Sequence, residues 1–272
     1  MSIFSAKKID SIFDPCYTTF EVIEMDLKGY TLVFEDNFEG KALDLEKWQH
    51  RASGARRCGF NAPSQVFLDN GNLILKYQYR TDGEYGEGWY AGMISARQRF
   101  TRGYFEIRCI CNDPAGSDFW SAFWLQARAP YTAEISRGGP GGAEIDIIEA
   151  FRDRDRTPTY PGSPGVETNI HVTGMKNPPY VFEGHSTQHP YPIRTNIPDC
   201  FTAFHVYGCE WTDEVYRFFV DGRLVAETNW GDGVSEVDEE LIISLELPGT
   251  TGAAKERSGE MIIDYVRVYQ KI

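Results

Sequence analysis

The sequence lacks any apolar run of about 18 residues or more, the length a membrane-crossing helix requires. It lacks basic surplus as well: 27 Lys and Arg stand against 40 Asp and Glu, a net charge of −13. Nucleic acids and anionic membranes are bound through basic patches, so neither is expected as a partner. Metal-type cysteine spacing is missing. The six cysteines (Cys16, Cys58, Cys109, Cys111, Cys200 and Cys209) form no CxxC pair, so no structural zinc is expected. Cys109 and Cys111 share a strand face and read as small buried hydrophobes. The first residues carry Lys7 and Lys8 but no apolar core after them, so no signal peptide is expected there. No long segment shows helical periodicity, and there is no internal repeat and no Ser/Gly-rich linker. These absences point to one domain over residues 1–272, with an irregular lead-in at 1–30 that includes one possible strand around residues 20–23.

What the sequence has is alternation. Its 272 residues can bury a sizeable core. Strands are expected at Tyr30–Phe34, Ser64–Leu68, Leu73–Tyr79, Gly92–Phe100, Gly103–Cys111, Phe119–Leu125, Glu167–Val172, Phe204–Trp211, Val215–Val220, Arg223–Ala226, Leu241–Leu247 and Met261–Tyr269. Asn70-Gly71 and Asp221-Gly222 supply the positive-φ pairs of tight hairpins. A short helical turn is expected at 43–48, and loops at 51–63, 152–167 and 174–198. Many short strands separated by turns make an all-β sandwich or barrel.

One strand breaks the rule that acids avoid such runs. Gly141-Gly142-Ala143-Glu144-Ile145-Asp146-Ile147-Ile148-Glu149-Ala150 sets three carboxylates among branched apolar residues. Glu144 and Asp146, two apart, share a face. Glu149 returns to that face only if one extra residue, a β-bulge, intervenes. The isoleucines then turn to the core. The outer glutamate Cα atoms would lie about 13 Å apart along the strand, and their carboxyls within about 5–6 Å, the spacing of a retaining glycosidase. The plainer alternative is a surface strand with an acidic outer face, which like-charge repulsion disfavours.

Glu144-Ile145-Asp146-Ile147-Ile148-Glu149 resembles the six-residue, bulged signature of glycoside hydrolase family 16. Trp120-Ser121-Ala122-Phe123-Trp124 precedes it. Phe204-His205-Val206-Tyr207-Gly208-Cys209-Glu210-Trp211, Phe219-Val220-Asp221-Gly222 and Asp264-Tyr265-Val266-Arg267-Val268-Tyr269 follow in family order. The resemblance spans residues 30–270. It implies a jelly roll of two curved antiparallel sheets with a substrate cleft on the concave face, and endo-acting cleavage of β-linked polysaccharide with retention. By position it makes Glu144 the nucleophile, Glu149 the acid/base, and Asp146 a hydrogen-bond partner of the nucleophile. It implies a polysaccharide partner, a monomer, and an extracytoplasmic setting.

Substrate contacts are expected at Trp120, Trp124, Glu106, Arg108, His171, Trp89 and Asn61. Each has a structural alternative: core packing for the indoles, a surface ion pair for Glu106 and Arg108, a structural role for His171. His205, within an apolar alternating strand, is expected to be structural. No cofactor is required for the chemistry. The resemblance maps a structural calcium onto Asn37, the Gly71 carbonyl and Asp264, although Asn37 stands where an acid is common. The expected substrate is a β-glucan with 1,3 or mixed 1,3/1,4 linkages. Small residues before Glu144, and Ser244-Leu245-Glu246-Leu247-Pro248, depart from the usual glucanase pattern. A β-galactan hydrolase of agarase, porphyranase or endo-β-galactosidase type is therefore the alternative within the family. Transglycosylation is a further outcome of the same intermediate. Outside the enzyme class the alternative is a lectin-like sandwich, which would have lost one of the two glutamates.

Overall fold

The computed structural model describes residues 25–127, 138–152, 162–172, 193–229 and 233–271. The expected strand around residues 20–23, Cys16, and most of the loop at 174–198 lie outside them, as does the middle of the loop at 152–167. In chain order the strands are β1 (Tyr30–Asp36), β2 (Trp48–His50), β3 (Gly54–Arg56), β4 (Gly59–Asn61), β5 (Val66–Asp69) and β6 (Asn72–Arg80). There follow β7 (Gly88–Ala91), β8 (Met93–Phe100), β9 (Gly103–Ile110), β10 (Trp120–Ala127), β11 (Glu144–Arg152) and β12 (Pro164–His171). The last are β13 (Ile193–Asn196), β14 (His205–Trp211), β15 (Tyr216–Val220), β16 (Arg223–Thr228), β17 (Glu239–Glu246) and β18 (Ser258–Lys271).

They form two sheets. The seven-stranded sheet runs β13-β12-β11-β10-β17-β8-β2. The eleven-stranded sheet runs β16-β15-β14-β9-β18-β6-β7-β4-β3, with β1 also on β18 and β5 on β6. Pairing is antiparallel except between β4 and β7. This is the sandwich the alternation implies, because each sheet must bury one apolar face. The tight turns are as expected: Asn70 and Gly71 have φ of 50° and 74°, Asp221 and Gly222 49° and 78°. The expected helical turn is a single backbone turn in which the Lys47 and Trp48 amides donate to Asp44. The expected loop at 51–63 instead holds β3 and β4.

Between the sheets lies one large core. It takes Phe105, Ile107 and Cys109 from β9, Ile145, Ile147 and Ile148 from β11, and Leu241, Ile243 and Leu245 from β17. Each fully buried aliphatic side chain there contributes roughly 1.5–3 kcal/mol. Cys109, Cys111, Cys200 and Cys209 are buried free thiols, and Cys58 is a partly exposed one. A smaller apolar cluster of Met93, Ala122, Trp124 and Ile242, with Trp120 against it, lies on the outer face of the seven-stranded sheet. It is the floor on which the polar groups described next are mounted. Among the described residues no helix is long and apolar enough to cross a membrane.

Candidate active site

Strand register builds the site. On β11, Glu144 faces Gln126 of β10 and His171 of β12. Asp146 faces Trp124 and Asn169, and Glu149 faces Ala122 and Glu167. Three steps along β11 lead from Asp146 to Glu149, but only two steps separate their partners on either neighbour. That is the bulge. It returns Glu149 to the outer face while Ile147 and Ile148 both stay buried, 1% exposed each. The next strand along, β17, lines the same face with Glu240, Ile242, Ser244 and Glu246 opposite β10.

The three acids sit in an open cleft of about 340 Å³ lined by Arg51, Arg56, Arg57, Trp120, Trp124 and Glu246 among others. Burial pushes Glu144 up to about 7; Asp146 adds to the rise, and His171 and Gln126 oppose it. Burial also raises Asp146, with the charge of Glu246 adding to the rise, and Glu149, with the charge of Asp146 adding to it, each to about 8. Gln126 Nε2 donates to Glu144 Oε2 at 2.6 Å. Trp120 Nε1 donates to Glu149 Oε1 at 2.8 Å. His171 Nε2 lies 3.1 Å from Asp146 Oδ2 and 3.9 Å from Glu144 Oε1. Two carboxylates flank a third, and each outer one has its own donor. Such a set can hold one acid ionised and another protonated near neutral pH.

A fourth acid, Glu246, closes the cleft on β17. Arg56 Nη2 and Arg57 Nη1 donate to its Oε2 at 2.6 and 2.9 Å. The guanidinium of Arg57 stacks over Trp120 and that of Arg51 over Trp124, each 5.1 Å from the ring centroid. Trp124 Nε1 donates to Ser244 Oγ at 3.0 Å. Beneath the chain entering β11, the buried Glu239 accepts from the Ala143 amide and from Ser235 Oγ. It thereby ties the residue before Glu144 to β17.

Of the expected contacts, Trp120, Trp124 and His171 are at the cleft. Glu106 and Arg108 are not, and this corrects the expectation. They lie on β9 of the other sheet, on the face opposite the core residues Phe105, Ile107 and Cys109. There Arg108 pairs with Asp264 at 2.5 Å, and Glu106 lies 3.9 Å from Arg267. Trp89 is corrected too: it is 7% exposed and packs on Tyr77, Tyr79 and Phe119 in the core. Asn61 is 1% exposed, under the floor, with its Nδ2 3.6 Å from Met93 Sδ. His205 is structural, bridging Asp199 and Asp221. The mapped calcium set does not fit the ion. Its one carboxylate, Asp264, is already paired with Arg108, which leaves the neutral oxygens of Asn37 and Gly71 to supply a cation that takes roughly six to eight oxygen ligands.

Gln126, Arg51, Arg56, Arg57, Glu246 and Asn169 were not singled out from the sequence. Gln126 was within reach, since it continues the Trp120, Ala122, Trp124 face by one step. The arginines were not, because their meaning depends on a register more than a hundred residues away in the chain.

A family model described as "Beta-porphyranase A-D, GH16 domain" matches residues 32–271. The chain belongs to glycoside hydrolase family 16. It is a glycosidase of the jelly-roll type. The chain is similar to a beta-glucanase of Rhodothermus marinus, 28% identical over 268 residues, which are 89% of this chain and 85% of the relative. It is similar as well to beta-porphyranase E of Zobellia galactanivorans, 27% identical over 196 residues, 70% of this chain and 65% of the relative. Among solved structures, a laminarinase from Flavobacterium sp. UMI-01 superposes with a TM-score of 0.65 at 25% identity, over 88% of this chain and all of the other.

Proposed function

We propose that this family 16 enzyme is an endo-acting retaining hydrolase of a β-glucan with 1,3 or mixed 1,3/1,4 linkages. The observation that carries the mechanism is the bulged strand, which presents Glu144, Asp146 and Glu149 on one face of an open cleft. Glu144 is the nucleophile. Its place in the family motif gives it that role; both outer acids have a donor and are favoured in charged form by His171, but Glu144 is pushed up only to about 7 and Glu149 to about 8. Its carboxylate attacks the anomeric carbon as the glycosidic C–O bond breaks. Glu149 gives its proton to the leaving oxygen. Glu149 then takes a proton from water, whose oxygen attacks the same carbon and releases Glu144. Two inversions give net retention. Asp146, between them, raises the proton affinity of both neighbours through its charge.

The glucan assignment is supported by the beta-glucanase of Rhodothermus marinus, whose length this chain nearly spans. A second reading, a porphyran-type galactan, is favoured by the description of the family model and by Arg56 and Arg57 in the cleft. Incubation with laminarin, barley β-glucan, agarose and porphyran, with sizing of the products, separates the readings. New reducing ends from laminarin or barley β-glucan are expected. Products from porphyran alone would select the galactan reading. Binding without new reducing ends would leave a carbohydrate-binding module.

A further inference from the structure

We propose that Arg51, acting through Gln126, fixes the orientation and the charge state of Glu144, so that both are positioning residues of the reaction. The inference rests on the reading of Glu144 as nucleophile.

A glutamine amide has one oxygen that accepts and one nitrogen that donates, and a half-turn about its last bond exchanges them. A guanidinium only donates. Arg51 Nη2 lies 2.6 Å from Gln126 Oε1, so the oxygen must face Arg51. The nitrogen is then obliged to face Glu144, 2.6 Å away. Arg51 is itself held. Its Nε donates to Glu240 Oε2 at 3.0 Å, its backbone amide donates to the Met93 carbonyl, and its side chain is 9% exposed. Glu240 also accepts from Ser95 Oγ at 2.7 Å, and Gln49 Nε2 lies 3.2 Å from that hydroxyl. A continuous polar chain thus runs from β2 across β8 and β17 to the reacting carboxylate. Donation to the charged form favours it. A flipped amide would present its oxygen to Glu144 and favour the protonated, unreactive acid.

Other groups act on Glu144 from each neighbour. Asp146 and Glu149 are on its own strand, His171 is on β12, and Glu239 and Glu246 are on β17. Arg56 and Arg57 act mainly on Glu246, to which they are bound. Gln126 Nε2 donates to Glu144 at 2.6 Å, whereas His171 Nε2 stands 3.9 Å from Glu144 Oε1.

The test is the acid limb of kcat/KM against pH in Gln126→Met, Arg51→Met and the double variant, each first shown to be folded by its thermal transition. Gln126→Met should move the limb up by about one pH unit and lower kcat about tenfold at pH 6, with KM nearly unchanged. Arg51→Met, which removes the donor that orients the amide, should shift it in the same direction, and adding Arg51→Met to Gln126→Met should shift it no further. A folded Gln126→Met with a wild-type acid limb overturns the proposal, as does an additive shift in the double variant. Should Arg51→Met not fold, Arg51→Gln takes its place; its amide can offer Gln126 either an oxygen or a nitrogen, so it too frees the Gln126 amide to turn and should move the limb upward. Azide rescue of Glu144→Gly separates the two readings. Rescue with an unmoved limb removes the clamp alone; no rescue removes Glu144 as nucleophile and the clamp with it.

Discussion

Burial raises the carboxyls of Glu144, Asp146, Glu149 and Glu239 above the ordinary range, so each holds its proton more tightly in the folded chain than in the unfolded one. The sign follows from linkage. Between the unfolded value of 4.5 and the folded value of about 8 for Glu239, the native state binds more protons, and stability falls as pH rises. The melting temperature should therefore decline from pH 5 to pH 8. Glu144→Gln removes one of these charges. It should raise the melting temperature by about 3–6 °C at pH 8 and change it little at pH 5, while abolishing hydrolysis. Calorimetry at the two pH values checks this; an equal shift at both would deny that Glu144 carries the strain. At this scale the three acids were legible, because carboxylates in an isoleucine run contradict strand preference. Gln126 and Glu239 were not. An amide or an acid at a strand end is ordinary until the register shows what it faces.

At the scale of the element, β11 functions through one inserted residue. The bulge was inferred because Glu149 would otherwise point inward, and the register shifts on both neighbours place it between Asp146 and Glu149. Deleting Ile147 would remove the inserted residue and leave Glu144, Asp146 and Glu149 alternating on one face of a regular strand, whereas inserting an alanine after Ile148 would move Glu149 one position on and, with a single bulge retained, turn it into the core. Activity of the insertion variant should fall more than about 10³-fold, with clear destabilisation from the buried carboxylate. Activity of the insertion variant within tenfold of wild type would mean that the facing of Glu149 does not matter to the reaction. The hairpins were legible from Asn70-Gly71 and Asp221-Gly222, whose turn chemistry is local. β3 and β4 were hidden, since Gly54, Arg56, Arg57 and Gly59 read as loop and the strands exist only by pairing, β4 with β7.

For the whole molecule, the two sheets have opposite duties on their outer faces. The seven-stranded sheet carries the cleft. The eleven-stranded sheet carries ion pairs such as Arg108 with Asp264. Alternation told which residues share a face of β9, and the family resemblance suggested sugar contacts for Glu106 and Arg108, but nothing local told which sheet β9 joins. Arg108→Ala should leave kcat/KM within about twofold and cost at most about 1 kcal/mol, the usual worth of a half-exposed pair. A tenfold loss measured on the preferred polysaccharide would return Arg108 to the substrate.

The division of labour between Glu144 and Glu149 is tested most directly by azide rescue on an activated aryl β-laminaribioside, with the product anomer read by proton NMR. Glu144→Gly should give the α-glycosyl azide, because azide replaces the missing nucleophile in a single inversion. Glu149→Gly should give the β-glycosyl azide, because azide attacks the intermediate that Glu144 still forms. A β-azide from Glu144→Gly, or an exchange of the two anomers between the variants, would contradict the account.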